Sequence, residues 1–189
     1  MNDLSLHVID IIQNSISAGA SLIKLTVGEK SSENLLFIEI EDNGKGMTPE
    51  QVNSLDNPFF TSRTTRRVGM GIPLFRDSAR QSGGSLVVKS QPGKGTAVTA
   101  TFELDNIDRP PLGNIANALI LMVSANPNID FFFRYIYQES EYIFDTVEVK
   151  EVLDGLPIND ASVIRMLTSM IEANIQDLNV EGDNDGEEI

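Results

Sequence analysis

These 189 residues contain no cysteine and no tryptophan, and histidine occurs once, at position 7. Without thiols the chain offers no disulfide, no thiolate metal site and no iron–sulfur ligation. A lone histidine likewise excludes a His-rich metal site. No apolar run reaches the roughly 20 residues that a bilayer span needs. The nearest approach, Ile115 to Ala125, is interrupted by Asn117. The first ten residues, MNDLSLHVID, lack a basic stretch followed by an apolar run and a cleavage site, so no secretion signal is read and a cytoplasmic location is expected. Basic residues are scarce as well. With 14 Lys and Arg against 28 Asp and Glu the net charge is −14, which argues against a general binder of nucleic acid or of anionic membrane.

The charge is unevenly spread. Residues 1–105 carry 10 basic and 12 acidic side chains, and residues 106–189 carry 4 and 16. This shift predicts two units, 1–105 and 106–180, followed by an acidic tail over 181–189 (EGDNDGEEI) expected to be disordered. Within the first unit Arg63, Arg66, Arg67, Arg76 and Arg80 are opposed only by Asp77. A local basic cluster in an acidic protein suits an anionic ligand.

Leu4, Val8, Ile11, Ile12 and Ser15 recur at helical spacing, predicting a helix from Leu4 to Ala18 whose other face bears His7, Asp10, Asn14 and Ser17. Strands are expected over Leu22–Val27, Leu36–Ile40, Ser85–Ser90 and Ala97–Leu104. Thr48-Pro49-Glu50-Gln51 has the pattern of a capping box with proline in the first turn. A further helix is expected from Pro73 to Ser82, stopped by Gly83-Gly84. In the last of these strands Val98, Ala100, Phe102 and Leu104 alternate with Thr99, Thr101 and Glu103, as in a sheet with one buried face. Helices on one side of such a sheet make a two-layer α/β sandwich of the α+β class. Asp108-Arg109-Pro110-Pro111 breaks the pattern. A smaller α+β unit should follow: a helix from Leu112 to Ser124, a hairpin of Asp130–Tyr137 with Tyr142–Thr146, and two helices, the second from an Asp160 cap to Leu178. Its acidity and the aromatic run from Phe131 to Tyr135 would suit packing, dimerisation or a docking surface for a partner protein.

The residues most suggestive of chemistry are Asp42-Asn43-Gly44-Lys45-Gly46-Met47. Leu36, Ile38, Ile40 and Asp42 share one strand face, so alternation delivers a carboxylate to the apolar side. Such a group needs partners. The amino group of adenine is one such partner, and a plain Asx turn is an equally open reading. Asp10 and Asn14 lie one helical turn apart. The Asn14 oxygen suits a magnesium ion bound to phosphates, and Asp10 a general base. On spacing alone, a solvated polar face explains both better. Gly69-Met70-Gly71 opens a helix beside the arginines, where backbone amides can bind phosphate, with Thr61, Ser62 and Arg63 placed to close over it. Gly93-Lys94-Gly95-Thr96 fails the P-loop test because glycine follows the lysine, so a hairpin turn is its default meaning and Thr96 the one nucleotide contact expected there.

Taken in order, these segments resemble the boxes of the GHKL (histidine-kinase-like, Bergerat-fold) ATPases. Residues 10–20, DIIQNSISAGA, look like the N box, and residues 42–47, DNGKGM, like the first glycine box. Residues 57–63, NPFFTSR, are similar to the F box of histidine kinases. Residues 69–76, GMGIPLFR, resemble the second glycine box, and residues 90–96, SQPGKGT, the closing hairpin of kinase ATP domains. The resemblance covers residues 4–104 and implies a stand-alone domain similar to histidine kinase catalytic domains and anti-sigma-factor kinases. It implies ATP and Mg2+ as ligands, Asn14 as the metal ligand and Asp42 as the adenine-reading acid. Gly44, Gly46, Met47, Phe60, Thr61, Arg63, Gly69, Met70, Gly71 and Thr96 would line the ATP site, with Thr61 to Val68 as a short lid. Asp10, the expected catalytic residue, stands where hydrolytic members carry glutamate. Arg67 stands where many kinases have the first glycine of the second box. No phosphoacceptor helix precedes the domain in this sequence, and His7 lies inside the N-box helix. The resemblance therefore implies a signalling kinase acting in trans on a His or Ser of a separate protein, with an ATP-dependent switch or a slow ATPase as alternatives. No nucleic acid or membrane partner is expected, and a homodimer is compatible with this reading.

Overall fold

The computed structural model describes residues 3–55 and 71–185. Helix α1 (Leu4–Ser17) is capped by Asp3, whose carboxylate accepts from the Leu6 amide. Strand β1 (Leu22–Lys30) leads through a short 3-10 turn (Ser31–Glu33) into β2 (Leu35–Asp42). Both strands outrun their sequence-based bounds because their pairing extends beyond the apolar stretch, from Ile23 opposite Asp42 to Lys30 opposite Leu35. The expected capping box opens α2 (Pro49–Ser54): the Thr48 hydroxyl accepts from the Gln51 amide, and the Gln51 side chain accepts from the Thr48 amide. Helix α3 (Gly71–Gln81) ends at Gly83-Gly84, where the Gly84 amide returns to the Ala79 carbonyl. Strands β3 (Ser85–Gln91) and β4 (Gly95–Glu103) form the expected hairpin.

Beyond residue 104 the chain stays attached to what precedes it. The Arg109 side chain donates to the Leu104 carbonyl, and the Pro111 carbonyl accepts from the Leu4 amide at the start of α1. Helix α4 (Ile115–Ala125), strands β5 (Asp130–Tyr137) and β6 (Ser140–Asp145), and helices α5 (Thr146–Val152) and α6 (Ala161–Asp185) follow. The strands form a single mixed sheet in the order β3-β4-β2-β1-β5-β6. Its one parallel step joins β1 to β5, from Leu22 opposite Asp130 to Glu29 opposite Tyr137. The residues after 106 thus add two strands to the first unit's own sheet.

One face of that sheet is buried across its four central strands. Ile23, Leu25 and Val27 of β1 continue into Leu36, Ile38 and Ile40 of β2, Val98, Ala100 and Phe102 of β4, and Phe131, Phe133 and Tyr135 of β5. Helices α1, α3, α4 and α6 supply Ile12, Phe75, Leu119 and Leu167 to the same core. The aromatic residues of β5 offered above as a docking surface therefore lie mostly in the core. Alternation sends Phe131, Phe133 and Tyr135 inward and leaves Phe132 half-buried, because β5 is covered by helices like its neighbours. The tail expectation is also corrected in part, since residues 181–185 continue α6. A helix already nucleated and docked through Val163, Leu167 and Ile171 gains a hydrogen bond for each residue it adds. Among the described residues, no helix is long and apolar enough to cross a membrane.

One sheet and one core predict one cooperative unfolding transition. Ile171, fully buried on α6, should cost about 2–5 kcal/mol when cut to alanine. In a urea titration followed by circular dichroism, Ile171→Ala should move the whole transition to lower denaturant. Melting of a C-terminal unit ahead of an unmoved main transition would contradict the shared core.

Candidate functional site

Strand β2 carries its apolar face up to Ile40 and ends with Asp42 on that same face, half-buried. Two donors meet the carboxylate. The buried Ser15 hydroxyl donates to Oδ2 at 2.6 Å, and the Gly44 amide donates to Oδ1 at 2.8 Å. Asn43 faces elsewhere and stitches the turn to β1: its carbonyl accepts from the Ser21 and Leu22 amides, and its amide donates to the Ser21 hydroxyl. The segment is therefore an Asx-type turn as well as the mount of a half-buried carboxylate.

The turn is clamped between α1 and the β3–β4 hairpin. The Lys45 amide donates to the Ala18 carbonyl at 3.0 Å, and the Lys45 carbonyl accepts from Gly93 at 2.7 Å. The Met47 amide donates to the Ser90 hydroxyl at 2.8 Å. Two glycines make this approach feasible. At Gly46 (φ +66°) an added Cβ would lie 1.9 Å from the Gln91 carbonyl oxygen, and at Gly95 (φ +105°) 1.8 Å from that of Asp42. Neither position admits a side chain without moving backbone. Thr96 pairs with Asp42 across β2–β4 and with Ser90 across β3–β4. Asp42, Ser90 and Thr96 border one cleft of about 610 Å3, walled by Pro49, Val52 and Asn53 of α2 and by Val88.

On α1, Asp10 and Asn14 are both half-buried. Burial pushes the Asp10 carboxyl above its ordinary value. Gly71, the first residue of α3, packs against it: a Cβ built there would sit 3.2 Å from the Asp10 Cβ. The first turn of α3 thus abuts Asp10. One turn back on α1, His7 is 1% exposed, stacks on Phe75 of α3 at 4.8 Å and bonds through Nε2 with the Ser78 hydroxyl at 3.0 Å. Its Nδ1 is buried with no partner. Ser17 is exposed. The remaining expected contacts, Phe60, Thr61, Arg63, Gly69 and Met70, lie outside the described residues, as do the lid from Thr61 to Val68, Arg66 and Arg67.

Two site residues lie within the boxes but are not among the contacts expected from them. Ser15 falls in the apolar stripe of α1, and a hydroxyl at a core position needs a partner, which was the available signal. Ser90 stands at the end of a strand with nothing local to mark it.

Residues 2–106 match the family of histidine kinase-, DNA gyrase B- and HSP90-like ATPases. The chain belongs to that family. It is 34% identical over 108 residues to the sensor protein kinase FleS of Pseudomonas aeruginosa, which covers 57% of this chain and 26% of the relative. It is 31% identical over 93 residues to the sensor histidine kinase ZraS of Salmonella typhi, covering 49% and 20%. The chain thus spans about a quarter or less of these curated relatives. The crystal structure of the N-terminal domain of a DNA repair protein shares the fold at a TM-score of 0.53 and 19% identity, over 76% of this chain and 52% of that one. That coverage exceeds the family-matched residues, so the fold likeness runs past residue 106. This GHKL domain is an ATP-binding domain of the kind that histidine kinases carry.

Burial lowers the pKa of His7 to about 4, so it is neutral in the folded protein at neutral pH. The unfolded chain binds a proton there near pH 6.5, so unfolding takes up a proton between those values. Stability from this group is complete above pH 6.5 and falls toward pH 4, by at most about 1.4 kcal/mol per pH unit. Chemical denaturation at several pH values should show His7→Asn lacking that slope, whatever its stability at pH 7.

Proposed function

We propose that the protein binds magnesium-ATP at this cleft and transfers the γ-phosphate to a histidine or serine of a separate partner protein. Asp42 would accept from the exocyclic amino group of adenine, which a half-buried carboxylate with spare lone pairs suits. Asn14 fits the metal: it is a neutral oxygen donor one helical turn from Asp10. Among the described residues no group of three or more His, Asp or Glu could cage an ion. Such a set favours Mg2+ carried in on the phosphates, where it would offset the charge of the triphosphate. The α3 amino-terminus at Gly71, beside Asp10, would take a phosphate, and Gly44, Gly46, Met47 and Thr96 would surround the base next to Asp42.

The observation that carries the reading is the clamped carboxylate Asp42 in a domain whose relatives are sensor kinases. In the transfer, the bond from phosphorus to the β,γ-bridging oxygen breaks as one forms to the acceptor nitrogen or oxygen, leaving ADP. Asp10, with its raised pKa, is suited to take the proton of an attacking hydroxyl. His7 is buried and bonded to Ser78, so the acceptor must be sought elsewhere.

A second reading is favoured by Asp10 itself. Its side chain is one methylene, roughly 1.5 Å, shorter than glutamate, which weakens water activation and suits an ATP-dependent interaction switch. A slow ATPase is the third.

Calorimetry with Mg-ATP, using γ-labelled nucleotide on wild type, Asp42→Asn and Asp10→Asn, separates these. Asp42→Asn should weaken binding at least tenfold, a loss in the range of a hydrogen bond to a charged group. Label on a partner that disappears with Asp10→Asn supports the kinase. Partner binding that needs ATP but ignores Asp10→Asn supports the switch, and free phosphate rising with Asp10→Glu supports the ATPase. A folded wild type that binds no ATP would sink all three.

A further inference from the structure

Ser90 is the most heavily bonded hydroxyl at the cleft, and its bonding order can be worked out. Its Oγ lies 2.8 Å from the Met47 amide nitrogen, 2.9 Å from the Gly95 carbonyl oxygen and 2.8 Å from the Thr96 hydroxyl. A hydroxyl has one proton and two lone pairs. The Gly95 carbonyl can only accept, so it takes the Ser90 proton. The Met47 amide can only donate, so it fills one lone pair. The neighbour left for the second lone pair is Thr96, which must supply its own proton. The chain of bonds therefore runs one way, from Thr96 to Ser90 to the Gly95 carbonyl.

This order fixes what Thr96 shows to the cleft. With its proton committed to Ser90, it presents lone pairs only. Asp42, its partner across the β2–β4 ladder, also presents only acceptors as a carboxylate, and two of its roughly four lone pairs are already used by Ser15 and Gly44. Asp42, Thr96 and Ser90 all border the same cleft. Two adjacent side chains that only accept match a ligand edge that donates. A 6-amino purine offers two N–H bonds at position 6, whereas a 6-oxo purine puts a carbonyl oxygen there, facing acceptors with no proton between, and keeps a donor on that edge only at N1.

We infer that Ser90 is a specificity-determining positioning residue, which orients the Thr96 hydroxyl so that the cleft accepts 6-amino and rejects 6-oxo purine nucleotides. The inference rests on the ATP-site reading of Asp42. It assigns the discrimination in part to a side chain that need not touch the base.

The test compares dissociation constants for ATP and inosine triphosphate, which differ in the 6-amino against 6-oxo group, on wild type, Ser90→Ala and Ser90→Thr. Wild type should prefer ATP. Ser90→Ala frees the Thr96 proton to turn toward the cleft, so the ATP preference should narrow about fivefold, the worth of one neutral hydrogen bond. Ser90→Thr restores the hydroxyl and should restore the preference. Circular dichroism melts show whether the alanine variant is folded, and the threonine variant carries the test if it is not: a preference lost with the hydroxyl present overturns the inference. An unchanged ratio in folded Ser90→Ala, with both nucleotides weakened equally, also overturns it and leaves Ser90 as a loop anchor. Wild type that binds neither nucleotide removes the ATP-site reading itself, and this inference with it.

Discussion

A carboxylate at the end of an apolar strand face is the constraint on which the rest of this site depends. Moving an ionised group out of water without partners costs several kcal/mol, so the fold must bring donors to Asp42. One donor is local, the Gly44 amide two residues on. The other, Ser15, comes from α1, 27 residues earlier in the chain. That bond adds to the buried stripe of Leu4, Val8, Ile11 and Ile12 in setting the roll of α1 over the sheet. Once Ser15 points down at Asp42, Asn14 and Asp10 are carried to the flank of the same helix. Asp10 and Asn14 are thereby placed relative to Asp42.

The second joint is between α1 and α3. His7, Phe75 and Ser78 form a stacked and hydrogen-bonded contact in the core, and Gly71 lies against Asp10 near the other end of the interface. The spacing of the α3 amino-terminus from Asp10 is therefore set by core packing one helical turn away. A buried, neutral histidine with an unpartnered nitrogen is a costly way to fill that contact. The stack on Phe75 offsets part of that cost, and the arrangement makes the interface sensitive to acid.

Much of this was legible in the sequence, for reasons that can be stated residue by residue. Helical spacing separates Asp10 and Asn14 from Leu4, Val8, Ile11 and Ile12 because one turn brings back the same face. Alternation places Asp42 with Ile38 and Ile40 because a strand repeats every two residues. The Thr48 box and the Gly83-Gly84 stop are local chemistry and were found where expected. What could not be read was partnership at a distance. Ser15 looked like a break in an apolar stripe, and only the folded sheet supplies its acceptor. Ser90 gains its meaning from three groups on two other segments. The sequence shows an aromatic run in β5, but it is silent on which sheet receives it.

That silence matters most at residues 106–114, where charge and proline content suggest a boundary. In the folded chain this stretch lies against the start of α1, with Leu4 bonded to the Pro111 carbonyl and a Cβ at Gly113 only 2.6 Å from the Asp3 side chain. Beyond it, β5 covers the edge of β1, and α4 packs between α1 and α6. Without those elements β1 would expose an unpaired edge beside Ile23, Leu25 and Val27, an invitation to aggregation. The family-matched residues and the C-terminal residues therefore share one sheet and one core, and α1 packs against both. A force or a partner acting on α6 meets α4 next and α1 after it, the helix that carries Asp10, Asn14 and Ser15. Close-packed interiors transmit strain, so α1, which bonds Asp42 through Ser15 and carries Asn14 beside it, is the element that links α4 and α6 to the site.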